Sequence, residues 1–150
     1  MFFQYIQVAV DGSDASQTAL EQAVWLARHA NAVLTGFYIL DTGWADFIGN
    51  DWQSSDGARR GFLDHIGKEQ TSQAELARLQ FETAVQGLAQ AQFIVLTGDP
   101  IRVLVERLND PRSDLLVFGR KTFQVSGRPS LKTAAQSLVK QGRKPVLLLP

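Results

Sequence analysis

Five predominantly apolar runs alternate with longer segments of helical character along this chain. The runs occupy residues 5–10, 33–40, 93–96, 115–118 and 146–149. They are nearly continuous apolar stretches, which is the pattern of strands covered on both faces. Strands that alternate with helices are typical of a parallel sheet with helices on both of its faces. The sequence therefore predicts an α/β fold built on an open sheet of five parallel strands.

The segments between the strands carry helix signals. We predict helices over residues 15–30, 61–91, 100–108 and 130–141. Ser13 or Asp14 can cap the first of them, because their side-chain oxygens accept from the free N–H groups of a first helical turn. Asp99 followed by Pro100 is a typical helix start for the same reason.

Residues 41–60 lack any period and are rich in Gly, Asp, Ser and Trp, so we predict a long loop there. The loop contains Trp44, Phe47 and Trp52. Exposed aromatic side chains would mark a patch for a ligand or partner. The interpretation we favour is that they fold back as a lid, because burying an aromatic side chain stabilises by about 2 kcal/mol.

The fold class places the candidate ligand site. Ligands of open parallel sheets bind beyond the carboxyl ends of the strands, where the strand order reverses. Two turns leave predicted strands in this way, at residues 11–14 and 119–129. Asp11 and Gly12 open the first turn, and Gly119 opens the second. The alternative for Asp11 is a turn residue that satisfies the first helix, and the alternative for Gly119 is a sharp exit from the strand.

The C-terminal part of the chain is strongly basic. After Asp114 there is no acidic residue, although the whole chain balances 15 basic against 15 acidic residues. Four of the cations, Arg120, Lys121, Arg128 and Lys132, lie in or next to the second turn, where they could hold an anion through side-chain charge. The alternative is a solvated basic loop. The seven basic residues are Arg120, Lys121, Arg128, Lys132, Lys140, Arg143 and Lys144.

Composition excludes several classes of function. A net charge of zero argues against nucleic acid as a partner, and no apolar run approaches the roughly 20 residues that span a bilayer. Because the chain has no cysteine, it has neither a thiolate metal site nor a cysteine nucleophile. His29 and His65 lie in separate predicted helices, outside metal-like spacing, and the carboxylates form no acid–base pair. We predict one cytoplasmic domain over residues 1–150, with no catalytic residues and no metal.

Four pieces of the sequence resemble the universal stress protein family in order and spacing. They are VAVDGS at 8–13, GDP at 98–100, DLLVFG at 114–119 and PVLLL at 145–149. The resemblance spans essentially the whole chain. It implies a Rossmann- or flavodoxin-like sheet of strand order 3-2-1-4-5. It also implies a homodimer paired through the final strand, by the residues Val146, Leu147, Leu148 and Leu149.

One branch of that family binds ATP through a loop that reads Gly-x2-Gly-x9-Gly followed by Ser or Thr. Aligned from Gly119, this chain has Thr122 and Lys132 at the second and third glycine positions and Thr133 at the hydroxyl position. Glycine lets backbone N–H groups approach phosphate oxygens, and side chains would crowd that approach. The resemblance thus implies a degenerate loop without tight ATP binding.

The adenine end of that family site is better preserved. Asp11 matches the acidic residue that meets the base, and Ile39 or Leu40 stands where a backbone contact to the base falls. Two hypotheses follow. The first is a homodimeric stress-response protein that binds protein partners or a small anionic ligand, without robust catalysis. The alternative is an ATP binder, with magnesium and slow hydrolysis, that uses Asp11, Gly119, Lys132 and Thr133.

Overall fold

A computed structural model describes residues 3–50, 56–124 and 127–150. Strands and helices alternate along these residues as predicted. The strands are β1 (Tyr5–Ala9), β2 (Val33–Asp41), β3 (Ala91–Gly98), β4 (Leu115–Gly119) and β5 (Val146–Leu149). The α-helices are α1 (Asp14–Ala30), α2 (Trp44–Ile48), α3 (Asp56–Ala84), α4 (Pro100–Leu108) and α5 (Ala134–Gln141), with a 3₁₀ helix at Pro129–Thr133.

The strands form one parallel sheet in the order β3-β2-β1-β4-β5. This confirms the predicted fold class and strand order. The order reverses at β1, which lies between β2 and β4. The carboxyl ends of these three strands therefore border the switch point, where sheets of this type bind ligands. Strand β5 lies at one edge of the sheet and β3 at the other.

Helices cover both faces of the sheet, as predicted. Gly36 of β2 lies against the ring of Phe81 in α3, whereas the next residue, Phe37, lies beneath the guanidinium of Arg107 in α4. Successive residues of a strand point to opposite faces, so α3 and α4 cover opposite sides. Helix α1 packs beside α3, and α5 packs beside α4. None of the helices in the described ranges is long and apolar enough to cross a membrane.

The predicted helix starts are confirmed at two places. The Ser13 hydroxyl accepts the N–H of Ser16 at 3.2 Å and caps α1. The Asp99 carboxylate accepts the N–H of Arg102 at 3.1 Å and caps α4, with Pro100 in the first turn. Both caps follow β-strands at the carboxyl edge of the sheet, so they fix the turns that border the switch point.

Several predicted boundaries were wrong. Residues 41–60 are not all loop, because they include α2 and the start of α3, which begins at Asp56. Helix α3 ends at Ala84 and not at residue 91, since Gly87 at φ +83° is incompatible with a continuing helix. Strand β3 accordingly begins at Ala91. The last helix is divided into the 3₁₀ turn and α5, which begins at Ala134.

The close contact at Gly36 yields a prediction about stability. A Cβ atom there would lie 2.4 Å from the Phe81 ring, in the middle of a packed core. We expect Gly36→Ala to lower the free energy of unfolding by about 1–3 kcal/mol through overpacking. Gly61→Ala is the matched control, because Gly61 lies in α3 with no atom near the position of a Cβ. There we expect a gain of about 0.5–1 kcal/mol from helix propensity.

Urea denaturation of both variants measures the two free energies. If Gly36→Ala is as stable as the unmodified chain, the contact between β2 and α3 is looser than the structure shows.

Candidate ligand site at the carboxyl ends of the strands

Asp11 lies at the end of β1 and is almost fully buried. One carboxylate oxygen accepts the N–H of Ser13 at 3.0 Å and also the Ser13 hydroxyl. The other oxygen accepts the N–H of Phe123 at 2.7 Å, from the loop that follows β4. Asp11 therefore ties the two turns of the site together, and its acceptor positions face the protein's own backbone.

The loop after β4 is folded tightly against α1. Gly119 is required there, because a Cβ would lie 2.6 Å from the carbonyl oxygen of Ala15. Thr122 is fully buried, and its hydroxyl has no hydrogen-bond partner among the described residues. Its methyl and hydroxyl thus occupy the second glycine position of the family's phosphate loop. This supports the prediction that a side chain crowds that position.

Phe123 fills the interior of the same loop. It has a backbone φ of +69°, which is uncommon for a residue other than glycine, and its side chain is buried. The ring packs edge-on against Tyr38 at a centroid distance of 6.0 Å and also lies near Phe118. The bond from Asp11 to the Phe123 N–H holds this conformation. Sequence reasoning did not single out Phe123.

Arg128 is the most constrained cation of the site. Its Nε and Nη2 donate to the two oxygens of Asp41 at 2.6 and 3.0 Å, and Nη2 also donates to Asp99 at 3.1 Å. The Arg128 and Asp41 side chains are 11% and 6% exposed, so the pair is largely shielded from water. The hydrogen bond to Asp41 is the main cause that raises the pKa of Arg128. Gly43 packs against the guanidinium, where a Cβ would lie 2.5 Å from Nη2.

This pairing corrects the prediction that Arg128 holds an external anion. The Arg128 guanidinium is already paired with the carboxylates of Asp41 and Asp99, so it is not available to an external anion. It joins the end of β2, the cap of α4 and the loop after β4. The sequence signal for this pair is Asp41, an acidic residue directly after the second apolar run. It is the last residue of β2 and does not belong to the predicted loop.

The remaining basic candidates are exposed. The side chains of Arg120, Lys121 and Lys132 face solvent, and none of them forms a salt bridge with another described residue. Thr133 is also exposed and precedes α5. The Lys132 side chain is exposed, so it does not fill the interior of the loop as the Thr122 side chain does. None of these four residues lines the small cavity described next.

Ile39 and Leu40 lie at the end of β2, as predicted. Ile39 is buried and lines a small cavity with Tyr38, Trp44 and Phe123. That cavity measures about 20 Å³, which is room for one water molecule. Burial, followed by the charges of Asp11 and Asp41, raises the pKa of the Tyr38 hydroxyl to about 12. An adenine ring does not fit this space as the side chains stand.

The segment around α2 supports the lid interpretation for Trp44. Its indole packs edge-on against Phe47 and Phe62, at centroid distances of 5.7 and 6.3 Å. Arg59 of α3 donates to the carbonyl oxygens of Gly49 and Ala45 at 3.0 and 3.2 Å, which ties this segment to α3. Trp52, the third aromatic residue of the predicted loop, lies outside the described residues.

Three glutamines of α3 support the turns of the site, and sequence reasoning missed them. Gln70 donates to the carbonyl oxygen of Asp41 at 3.1 Å and accepts its N–H, and Gln73 donates to the carbonyl oxygen of Asp11. Gln80 accepts the N–H of Gly12 at 3.1 Å and the hydroxyl of Ser16 at 2.8 Å. Spacings of three and seven residues place them on one side of a helix. That spacing was the available signal.

The described residues contain no group of three or more His, Asp or Glu side chains that could hold a metal ion. The ligand site is a closed polar junction at the switch point of a Rossmann-like sheet, because Asp11, Arg128 and the glutamines of α3 pair with other groups of the protein.

The sequence matches the model of the universal stress protein family over residues 3–150. The chain belongs to this family. It is 24% identical over 147 residues to a universal stress protein of Methanocaldococcus jannaschii, with 98% of this chain and 82% of that protein covered.

Solved structures agree in fold. The universal stress protein UspA from Lactobacillus plantarum superposes with a TM-score of 0.72 at 21% identity, with 100% of this chain and 99% of that chain covered. A universal stress protein from Archaeoglobus fulgidus in complex with dAMP superposes with a TM-score of 0.65 at 17% identity, with both chains fully covered. The resemblance drawn from the sequence motifs is thereby confirmed.

The buried ion pair yields a prediction. We expect Arg128→Met to lower the free energy of unfolding by about 3–5 kcal/mol, because it leaves Asp41 buried without its counter-charge. Arg120→Met is the control, since it removes the same charge from an exposed position, and it should change stability by less than about 0.5 kcal/mol. Guanidinium denaturation at neutral pH measures both. Equal effects of the two substitutions would show that the pair contributes no more than surface charge.

Proposed function

We propose that this chain is a regulatory member of the universal stress protein family that binds protein partners or a small anionic ligand, without robust catalysis. In this proposal, the site at the carboxyl ends of the strands does not hold ATP tightly. The observation that carries it is the 20 Å³ cavity at the site. Phe123 and Trp44 line that cavity, and Thr122 stands at the second glycine position of the phosphate loop.

Electrostatics supports the same proposal. A triphosphate needs free donors and cations, but Arg128 is already paired with Asp41 and Asp99. The cations Arg120, Lys121 and Lys132 are exposed and remain available to a ligand or partner. They present positive charge without a pocket, which suits an acidic partner surface or a small anion better than a nucleotide.

The alternative is adenine nucleotide binding. The Archaeoglobus fulgidus protein was solved in complex with dAMP. The motif resemblance gives Asp11 and Gly119 to a nucleotide site in this chain. In this alternative, the loop after β4 must open and move Phe123 out of the interior. ATP is therefore the first ligand to test.

Calorimetric titration with ATP and magnesium tests the proposal. We expect no saturable binding to the unmodified chain at micromolar nucleotide. Phe123→Gly should gain binding, because it empties the interior and glycine tolerates the positive φ. Arg143→Gly is the matched control, since Arg143 is an exposed cation between α5 and β5, outside the loop that follows β4.

Micromolar binding to the unmodified chain would reject the proposal in favour of the alternative. Thermal unfolding of Phe123→Gly, run alongside, sets a temperature at which the variant is folded. Binding gained equally by both variants would show that Phe123 is not what closes the site.

We also propose a homodimer paired through β5. The strand is hydrogen-bonded to β4 on one side, and its residues Val146–Leu149 are only half-buried in the single chain. An uncovered apolar edge strand is an aggregation hazard, and pairing with a second copy about a two-fold axis removes it.

Sedimentation velocity tests the dimer. We expect the unmodified chain to sediment as a dimer at micromolar concentration and Leu148→Lys as a monomer, because the charge would be buried in the paired edge. Val139→Lys is the control, placed on the exposed side of α5, where Val139 is 62% exposed. A monomeric unmodified chain, or a dimer that persists in Leu148→Lys, would contradict pairing through β5.

A further inference from the structure

A second cavity lies at the opposite end of the sheet, beside the amino-terminal halves of β1, β2 and β3. It measures about 250 Å³, which is room for several water molecules or one small ligand. This is slightly smaller than a typical pocket for a drug-sized ligand, so it suits a small metabolite. Six polar residues of its lining carry the argument: Gln7, Thr35, Gln92, Arg107, Asp110 and Arg112.

The sheet contributes a row of polar side chains to this cavity. Gln7, Thr35 and Gln92 lie side by side at one register of β1, β2 and β3. Gln7 is 4% exposed and Thr35 is 8% exposed. Two residues further along the same strands, the corresponding row is apolar, with Phe37 and Ile94 in β2 and β3. Burying Gln7 and Thr35 is costly unless their polar groups are satisfied, whereas Gln92 is exposed on the edge strand β3.

Part of the row positions a guanidinium. The Gln7 amide donates to the carbonyl oxygen of Arg107 at 2.7 Å, and Arg107 Nε donates back to the Gln7 side-chain oxygen at 2.6 Å. The same guanidinium lies 5.8 Å from the centre of the Phe37 ring. Arg107 is thus held by two hydrogen bonds and a ring contact at the wall of the cavity. Its Nη groups find no acceptor among the described residues.

The cavity has a surplus of donors. Gln92 donates to the Thr35 hydroxyl oxygen at 3.2 Å, which leaves the Thr35 proton without an acceptor in the described part of the chain. Arg112 adds a second guanidinium, and its side chain is exposed and forms no described ion pair. Asp110 is the one carboxylate of the lining, and it accepts the backbone N–H of Arg112 at 2.8 Å. Two cations and one anion leave a charge of +1.

We propose that this cavity binds a small molecule that carries a single carboxylate. A carboxylate matches the planar fork of a guanidinium, and it supplies the acceptors that Arg107 and Thr35 lack. One negative charge balances the lining, whereas a dianionic phosphate would overcharge it beside Asp110. The site is separate from the carboxyl-end site, and it does not depend on whether ATP binds there.

NMR titration with propionate, lactate and benzoate tests this proposal, with benzamide as the neutral counterpart and inorganic phosphate as the alternative anion. We expect saturable shifts of the Gln7 and Gln92 side-chain amides and of the Arg107 Nε–H with at least one carboxylate. Arg112→Gln and Thr35→Val should each weaken that binding, Arg112→Gln by about tenfold, the loss of one charge-assisted hydrogen bond. Arg120→Gln is the control, because it removes an exposed cation at the other end of the sheet.

The proposal would be overturned by no saturable shift with any carboxylate, by equal binding of benzamide, by saturation with phosphate alone, or by unchanged affinity in both Arg112→Gln and Thr35→Val. An equal loss in Arg120→Gln would assign the effect to general surface charge and would also overturn it.

Discussion

The bidentate contact between Arg128 and Asp41 holds the carboxyl end of this sheet together. It joins the end of β2 to the loop after β4, and Asp99 brings in the start of α4. A largely buried charge pair is stable only when both partners are present and well hydrogen-bonded. The N–H of Gly43 adds a donor to the Asp41 carboxylate at 2.8 Å, and Gln70 holds the backbone of Asp41. Each turn at the switch point is therefore held in its conformation by contacts with the others.

The two ends of the sheet differ in how their polar groups are used. At the carboxyl end, the Asp11 carboxylate accepts hydrogen bonds from the protein itself, and the Arg128 guanidinium donates to the protein's own carboxylates. Phe123 fills the space between the turns. At the amino end, Arg107 is positioned by Gln7 but keeps donors that meet no described acceptor. The first end is built as a closed junction and the second as an open, donor-rich cavity. This division is the physical basis for separating the two proposals.

Membership of the universal stress protein family fixes the architecture and leaves the site to the individual chain. The strand order is the one that the family resemblance implies, and the family match covers residues 3–150. The loop after β4 departs from the family's ATP-binding pattern at Thr122, and the buried side chain of Phe123 fills its interior. Binding properties therefore have to be derived from these side chains, because a shared fold positions a site without determining its chemistry.

The sequence by itself determined the alternation of strands and helices, the cap at Asp99, a cap at either Ser13 or Asp14, and the position of the site turns. These features depend on local periodicity and on neighbouring residues. It did not determine which basic residue is paired. Arg128 lies in a basic loop among similar cations, and its partner Asp41 is 87 residues away. Only the tertiary structure brings those loops together, because the carboxyl ends of parallel strands lie along the same edge of the sheet whatever the separation of the strands in the chain. The same long-range approach places Phe123 against Asp11 and Gln92 beside Thr35, and so decides which end of the sheet is closed and which is open.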